Sequence, residues 1–164
     1  MFESLPPALA LIGGALLTAA ISSRQLRAFV VIGAPLVCLY GIWQVPDGVS
    51  LEGAFLGYPL ELVEGSPVRR LFATIFAIMS ATGAVFAFNH ARRTELVAAQ
   101  FYAAGAVGVC FAGDLLTLFV FWELMALFST VVVWCGGTEK ARAAGIRYAI
   151  MHLLGGVILK VGIE

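Results

Sequence analysis

The chain has 164 residues, 61% hydrophobic and 12% charged, with ten basic against ten acidic side chains and a mean hydropathy of +0.97. That balance exceeds what a soluble domain needs for its core and offers no basic stripe for nucleic acid, so most of the chain belongs in a lipid bilayer. A hydrocarbon layer about 30 Å thick takes roughly 20 apolar residues per helical crossing. The expected fold is therefore an all-α integral membrane helical bundle of about six transmembrane helices.

The opening residues, MFESLPP, lack the basic lead of a cleaved secretory signal, so the first apolar run, 5–22, is expected to persist as a helix. Pro6 and Pro7 fit its first turn, where N–H groups have no helical partner anyway. The second run, 26–45, holds Pro35, which removes a backbone hydrogen bond and predicts a kink. Residues 46–69, PDGVSLEGAFLGYPLELVEGSPVR, break the apolar period with Gly, Pro and acids and read as an extramembrane loop or shallow interfacial segment. Four further helices are expected at 70–89, 95–112, 114–135 and 143–163. No Gly/Ser linker divides them, which predicts one membrane domain over 1–164. Cys38, Cys110 and Cys135 lie in or beside apolar runs without CxxC spacing, so neither a metal site nor a disulfide framework follows.

Basic residues are retained on the cytoplasmic side in short loops. Arg24 and Arg27 fall between the first and second runs, Arg92 and Arg93 between the third and fourth, and Lys140, Arg142 and Arg147 around the fifth connection. The other side takes Glu3, the acidic 46–69 segment and the tight Gly113–Asp114 connection, with Arg69 and Arg70 as exceptions. This alternation puts the N-terminus outside and supports the count of six.

Within GDLLTLFVFWELMALFSTVVVW, Glu123 lies about nine residues past Asp114, roughly 13 Å along a helix and close to the bilayer midplane. An acid there costs about 2.5 to 3.5 kcal/mol to insert, so it faces the bundle interior or a water-filled cavity and marks function by default. Helical spacing puts Leu116, Phe119, Val120, Ala126, Leu127 and Thr130 around it. Phe121 and Trp122 are read as packing, and Asp114 as a helix cap. In RYAIMHLLGGVILKVGIE, His152 sits near mid-membrane as a possible proton relay, equally explained as a histidine bonded to a neighbouring helix. Lys160, two turns on, is a weaker candidate whose long stem can reach the headgroups. Gly155–Gly156 reads as close helix packing. Nothing resembles a phosphate-binding loop, a nucleophile with its base, or a metal cluster, so no cofactor is expected.

GDLLTLFVFWELMAL resembles the fifth-helix signature of the proton-conducting antiporter-like membrane subunits shared by respiratory complex I, membrane-bound hydrogenases and Mrp-type sodium/proton antiporters. The D subunit of the Mrp group is the nearest in pattern, and EKARAAGIRYAIMHLLGG is similar to that family's sixth helix. The resemblance covers most of 70–164 and is strongest over 105–155. It implies a role for Glu123 as the family's fifth-helix glutamate, coupled to a lysine on a seventh helix. Family members carry two inverted repeats of five helices, whereas this sequence stops within its sixth. Lys160 does not stand in the seventh-helix motif, so the chain is expected to be a fragment or a split subunit. The implied function is a proton-translocating subunit of a multisubunit cation/proton antiporter in a bacterial inner membrane, with other membrane subunits, lipid, protons and Na+ as partners. The rivals are a proton-pumping subunit of an NADH:quinone oxidoreductase or hydrogenase, and a non-transporting scaffold.

Overall fold

The structure, a computed structural model, describes residues 5–55 and 57–163; Glu3, assigned above to the outer side, lies outside them. Among the described residues are six helices, α1 (Ala8–Ala20), α2 (Arg24–Ile42), α3 (Pro67–Ala87), α4 (Arg93–Phe111), α5 (Leu115–Trp134) and α6 (Glu139–Ile163). Between α2 and α3 stand two strands, β1 (Gly48–Phe55) and β2 (Tyr58–Gly65). Helices α1 to α4 form a closed ring, α5 packs on α4, and α6 packs chiefly on α5. Small side chains allow the ring to close: Ala8, Ala34, Ala73, Ala77, Ala103 and Ala104 are buried with Leu11, Ile42, Val107 and Phe111. Most large apolar side chains instead point outward, as Phe29, Phe86 and Ile158 do at 77%, 81% and 72% exposure. An apolar exterior around a small-residue interior is the arrangement that lipid as solvent favours.

Five of the helices are long and apolar enough to cross a membrane; α1, with 13 residues, is shorter than the expected 5–22. At 1.5 Å per residue it spans about 20 Å, less than the hydrocarbon thickness. Helix α2 continues through the buried Pro35. Helix α3 begins at Pro67, earlier than the expected residue 70, because Ser66 caps it by accepting the Arg69 N–H at 3.2 Å. Helix α6 begins at Glu139 instead of 143: Thr138 Oγ1 accepts the Ala141 N–H at 3.0 Å, and the charged residues that interrupt hydropathy are themselves good helix formers.

Residues 46–69, expected as an extramembrane loop or shallow interfacial segment, hold regular structure. Strands β1 and β2 pair antiparallel, with Gly48 facing Gly65 and Phe55 facing Tyr58. Val63 is buried in the ring core, which anchors one face. Arg69 and Arg70, the exceptions to the charge asymmetry, pair with the hairpin end: Arg69 Nη2 lies 2.5 Å from Glu64 Oε2, and Arg70 Nη2 lies 2.6 Å from Asp47 Oδ1. Arg69 also donates to the carbonyls of Ala112 (2.6 Å) and Cys110 (3.3 Å) at the end of α4. At the other end of the bundle, Arg24 reaches Asn89 and Arg93 reaches the Ala19 carbonyl.

Strand β2 is pinned to the α4–α5 turn by a reciprocal pair of hydrogen bonds. The Gly113 N–H donates to the Glu61 carbonyl at 2.9 Å, and the Glu61 N–H donates to Asp114 Oδ2 at 2.8 Å. Asp114 Oδ1 also accepts the Thr117 N–H at 2.8 Å, capping α5, and Oδ2 accepts Thr117 Oγ1–H at 2.5 Å. Burial pushes the Asp114 carboxyl up, but the bonds from Thr117, Glu61 and Leu116 outweigh it and hold the group below its ordinary value of 3.8. A carboxyl depressed in the folded state stabilises above its unfolded value, about 3.9, and that contribution is lost as pH falls through the folded value. Asp114→Asn keeps a capping oxygen but loses the charge and sets an NH2 against the Glu61 N–H, so it should lower thermal stability at neutral pH by about 1 to 2 kcal/mol. The gap from the parent should narrow below about pH 4; thermal unfolding of both proteins across pH checks it.

Candidate functional site

Glu123 is positioned by the packing of α5 between α4 and α6. On the α4 side, Gly105 and Gly108 let α5 approach closely. A Cβ at Gly108 would fall within the Phe121 ring, and one at Gly105 would meet Met125 and the Phe121 carbonyl. Phe101 and Phe128 complete the seam as a stacked pair, 4.3 Å between centroids and 13° from parallel. With α4 filled in this way, Glu123 emerges toward α6.

There the side chain is seated against Gly156. A Cβ at Gly156 would overlap Glu123 Oε1, so the carboxyl occupies space that only glycine leaves free. Gly156 is buried, whereas its neighbour Gly155 is exposed and has open space around it. The two glycines thus do different things. Glu123 is partly buried, and its Oε1 is buried without a hydrogen-bond partner among the described residues. A carboxyl oxygen in that state is costly unless a proton, a water or a donor from elsewhere serves it.

One turn before Gly156, His152 shares a groove of about 530 Å³ with Glu123, lined otherwise mostly by apolar side chains such as Val120, Leu127 and Leu153. Ala126 and Thr130, placed near Glu123 by helical spacing, line it too; Leu116 and Phe119 do not. The His152 ring lies 4.4 Å from that of Tyr148, tilted by 52°. Tyr148, His152 and Gly156 follow at intervals of four and form one stripe of α6. Lys160 continues the interval but is exposed on the last turn, outside the groove lining. The structure thus brings Glu123 and His152 to one groove, whose lining does not include Lys160. Among the described residues no group of three His, Cys, Asp or Glu could hold a metal ion. Gly156 escaped the sequence reading as a site residue, although its place one turn past His152 was available as a signal.

Residues 112–164 match the family model described as NADH:quinone oxidoreductase/Mrp antiporter, TM. The segment begins at the pinned α4–α5 turn and contains Glu123, His152 and Gly156. Across more of the chain, the sequence is similar to the D subunit of a Na(+)/H(+) antiporter from Alkalihalophilus pseudofirmus, 29% identical over 85% of this chain and 30% of the relative. It is also similar to two proteins named "Putative antiporter subunit mnhD2". The one from Staphylococcus saprophyticus is 25% identical and that from Staphylococcus aureus strain JH9 is 26% identical, each over 92% of this chain. These alignments cover 28% and 29% of the two relatives, so the chain spans under a third of the length of the curated proteins it matches.

Proposed function

We infer that this chain belongs to the antiporter-like membrane family of NADH:quinone oxidoreductases and Mrp antiporters, which it resembles over residues 112–164, and that it is a proton-translocating subunit of a multisubunit cation (Na+)/proton antiporter. Glu123 is its protonatable centre. The observation that carries this reading is the Glu123 carboxyl, set mid-helix in an apolar groove and seated on Gly156, with a buried oxygen unserved among the described residues. Loss of one proton turns such a group from donor to pure acceptor. A cation brought near it favours the charged form and its withdrawal favours proton uptake, so protonation becomes tied to conformation. His152 lines the same groove and is placed to pass the proton on. Lys160 does not line that groove, and the basic partner implied by the family resemblance is a seventh-helix lysine. The N-terminus is outside in this reading, with the Arg24, Arg92 and Arg142 end cytoplasmic.

A second reading, proton pumping in a redox complex, is favoured by the family description itself, which joins quinone oxidoreductases with antiporters. Everted vesicles carrying the complete complex separate the two. A sodium pulse should drive proton movement in the antiporter and NADH or hydrogen should drive it in the redox complex; dependence on neither driving force returns the scaffold reading.

The seat makes a sharper prediction. Gly156→Ala favours the helix locally yet displaces the carboxyl, so proton flux should fall roughly tenfold or more in a complex that still assembles. Gly155→Ala, with open space around it, should leave flux near the parent's. Equal fluxes in the two variants would remove Gly156 from the site.

A further inference from the structure

At the end of the bundle opposite the hairpin, a second cleft of about 560 Å³ opens where the α5–α6 turn meets the start of α4. Its charged lining is Arg92, Arg142 and Glu139; Thr138, Trp134 and Ile146 supply the rest of the wall. The Arg92 guanidinium lies over the turn, since a Cβ at Gly137 would stand 3.5 Å from its Nη2. Gly145 lets the Trp134 indole approach α6 closely, where any Cβ would overlap its Nε1 and Cδ1. Arg24, Arg69, Arg70 and Arg93 all have acceptors. Arg92 and Arg142 have neither ion pair nor side-chain hydrogen bond among the described residues.

We propose that this cleft binds the phosphodiester headgroup of an anionic phospholipid. Two unpaired guanidiniums facing one cavity suit a phosphate, which each can engage through two N–H groups. Basic pockets between helices at the cytoplasmic surface recognise such headgroups. The rest of the lining distinguishes a lipid from a free anion. Trp134 and Ile146 are 46% and 50% exposed and continue the cleft down the apolar flank of the bundle, where an acyl chain gains contact and an inorganic ion gains none. Trp at a helix end is also the side chain that a membrane interface favours. Glu139 narrows the choice further. Its carboxylate opposes a doubly charged phosphate but accepts hydrogen bonds from headgroup hydroxyls, which points to a singly charged glycerol phosphodiester such as phosphatidylglycerol. This inference rests on the chain crossing the bilayer, not on the proton role of Glu123.

Native mass spectrometry of the full chain released from detergent, with phosphatidylglycerol and phosphatidylcholine in equal amounts, tests it. The parent should retain phosphatidylglycerol preferentially. Arg92→Gln and Arg142→Gln should each lower the ratio of retained lipids about fivefold, whereas Arg27→Gln, at the same end but outside the cleft, should leave it unchanged. Glu123→Gln should keep the lipid while losing proton flux, which separates this site from the one above. Absence of preference in the parent, equal loss in the Arg27 variant, or displacement of the lipid by inorganic phosphate at matched concentration would each overturn the proposal.

Discussion

Glu123→Gln is expected to abolish proton-coupled transport, lowering flux by at least about a hundredfold, while the complex remains assembled. The amide has nearly the shape of the acid, so the seat against Gly156 stays filled and α5 keeps its packing on α4 through Phe121 and Phe128. What it loses is the proton. Glu123→Asp draws the carboxyl back from Gly156 by one methylene but preserves its chemistry, so intermediate flux is expected. His152→Ala probes the next step, because a relay histidine predicts slow flux in an assembled complex and a structural one predicts failed assembly first. Acid-quenched fluorescence in everted vesicles reads all three. Normal transport with an assembled Gln variant would reduce Glu123 to a packing contact.

The second large effect is expected on α4, away from any ionisable group. Gly108→Ala places a methyl inside the Phe121 ring, and neither helix can retreat freely: α4 is held on its far side by α1 and α3. Overpacking of this kind costs about 1 to 3 kcal/mol, read as loss of the monodisperse folded fraction. Phe121→Ala alone leaves a void and is also destabilising. Combined, the two changes should cost less than their sum, because the ring that collides with the new methyl is gone. Strict additivity in thermal unfolding would place the α4–α5 contact elsewhere.

Much of this fold was legible because lipid imposes a simple rule: long apolar runs must be helices, and charges mark their ends. The mid-helix place of Glu123 was legible for the same reason, as an acid where acids are expensive. The hairpin was not. The alternation in LELVEG is visible in retrospect, yet the Gly, Pro and acids around it also fit a loop, and only burial of Val63 against α-helical neighbours decides between them. Likewise Asp114 read as a cap, which it is, but its second partner is Glu61, 53 residues upstream. Gly156 read as generic packing because spacing along one helix cannot say which side chain of another helix comes to rest on it.

The clamp at the α4–α5 turn makes α5 a lever. Its first turn is fixed from two directions, by β2 through Gly113 and Asp114 and by Arg69 through the Ala112 carbonyl. Its last residue, Trp134, borders an open cleft. The hydrogen-bonded end of the helix is therefore the natural pivot for any tilt. A tilt of about 5° about the clamp would carry the far end, about 30 Å away, through roughly 2.6 Å, and Glu123, about 13 Å away, through just over 1 Å. That smaller arc is about what is needed to lift a carboxyl off a glycine. In such a tilt a displacement at the open end would reach the carboxyl reduced roughly twofold.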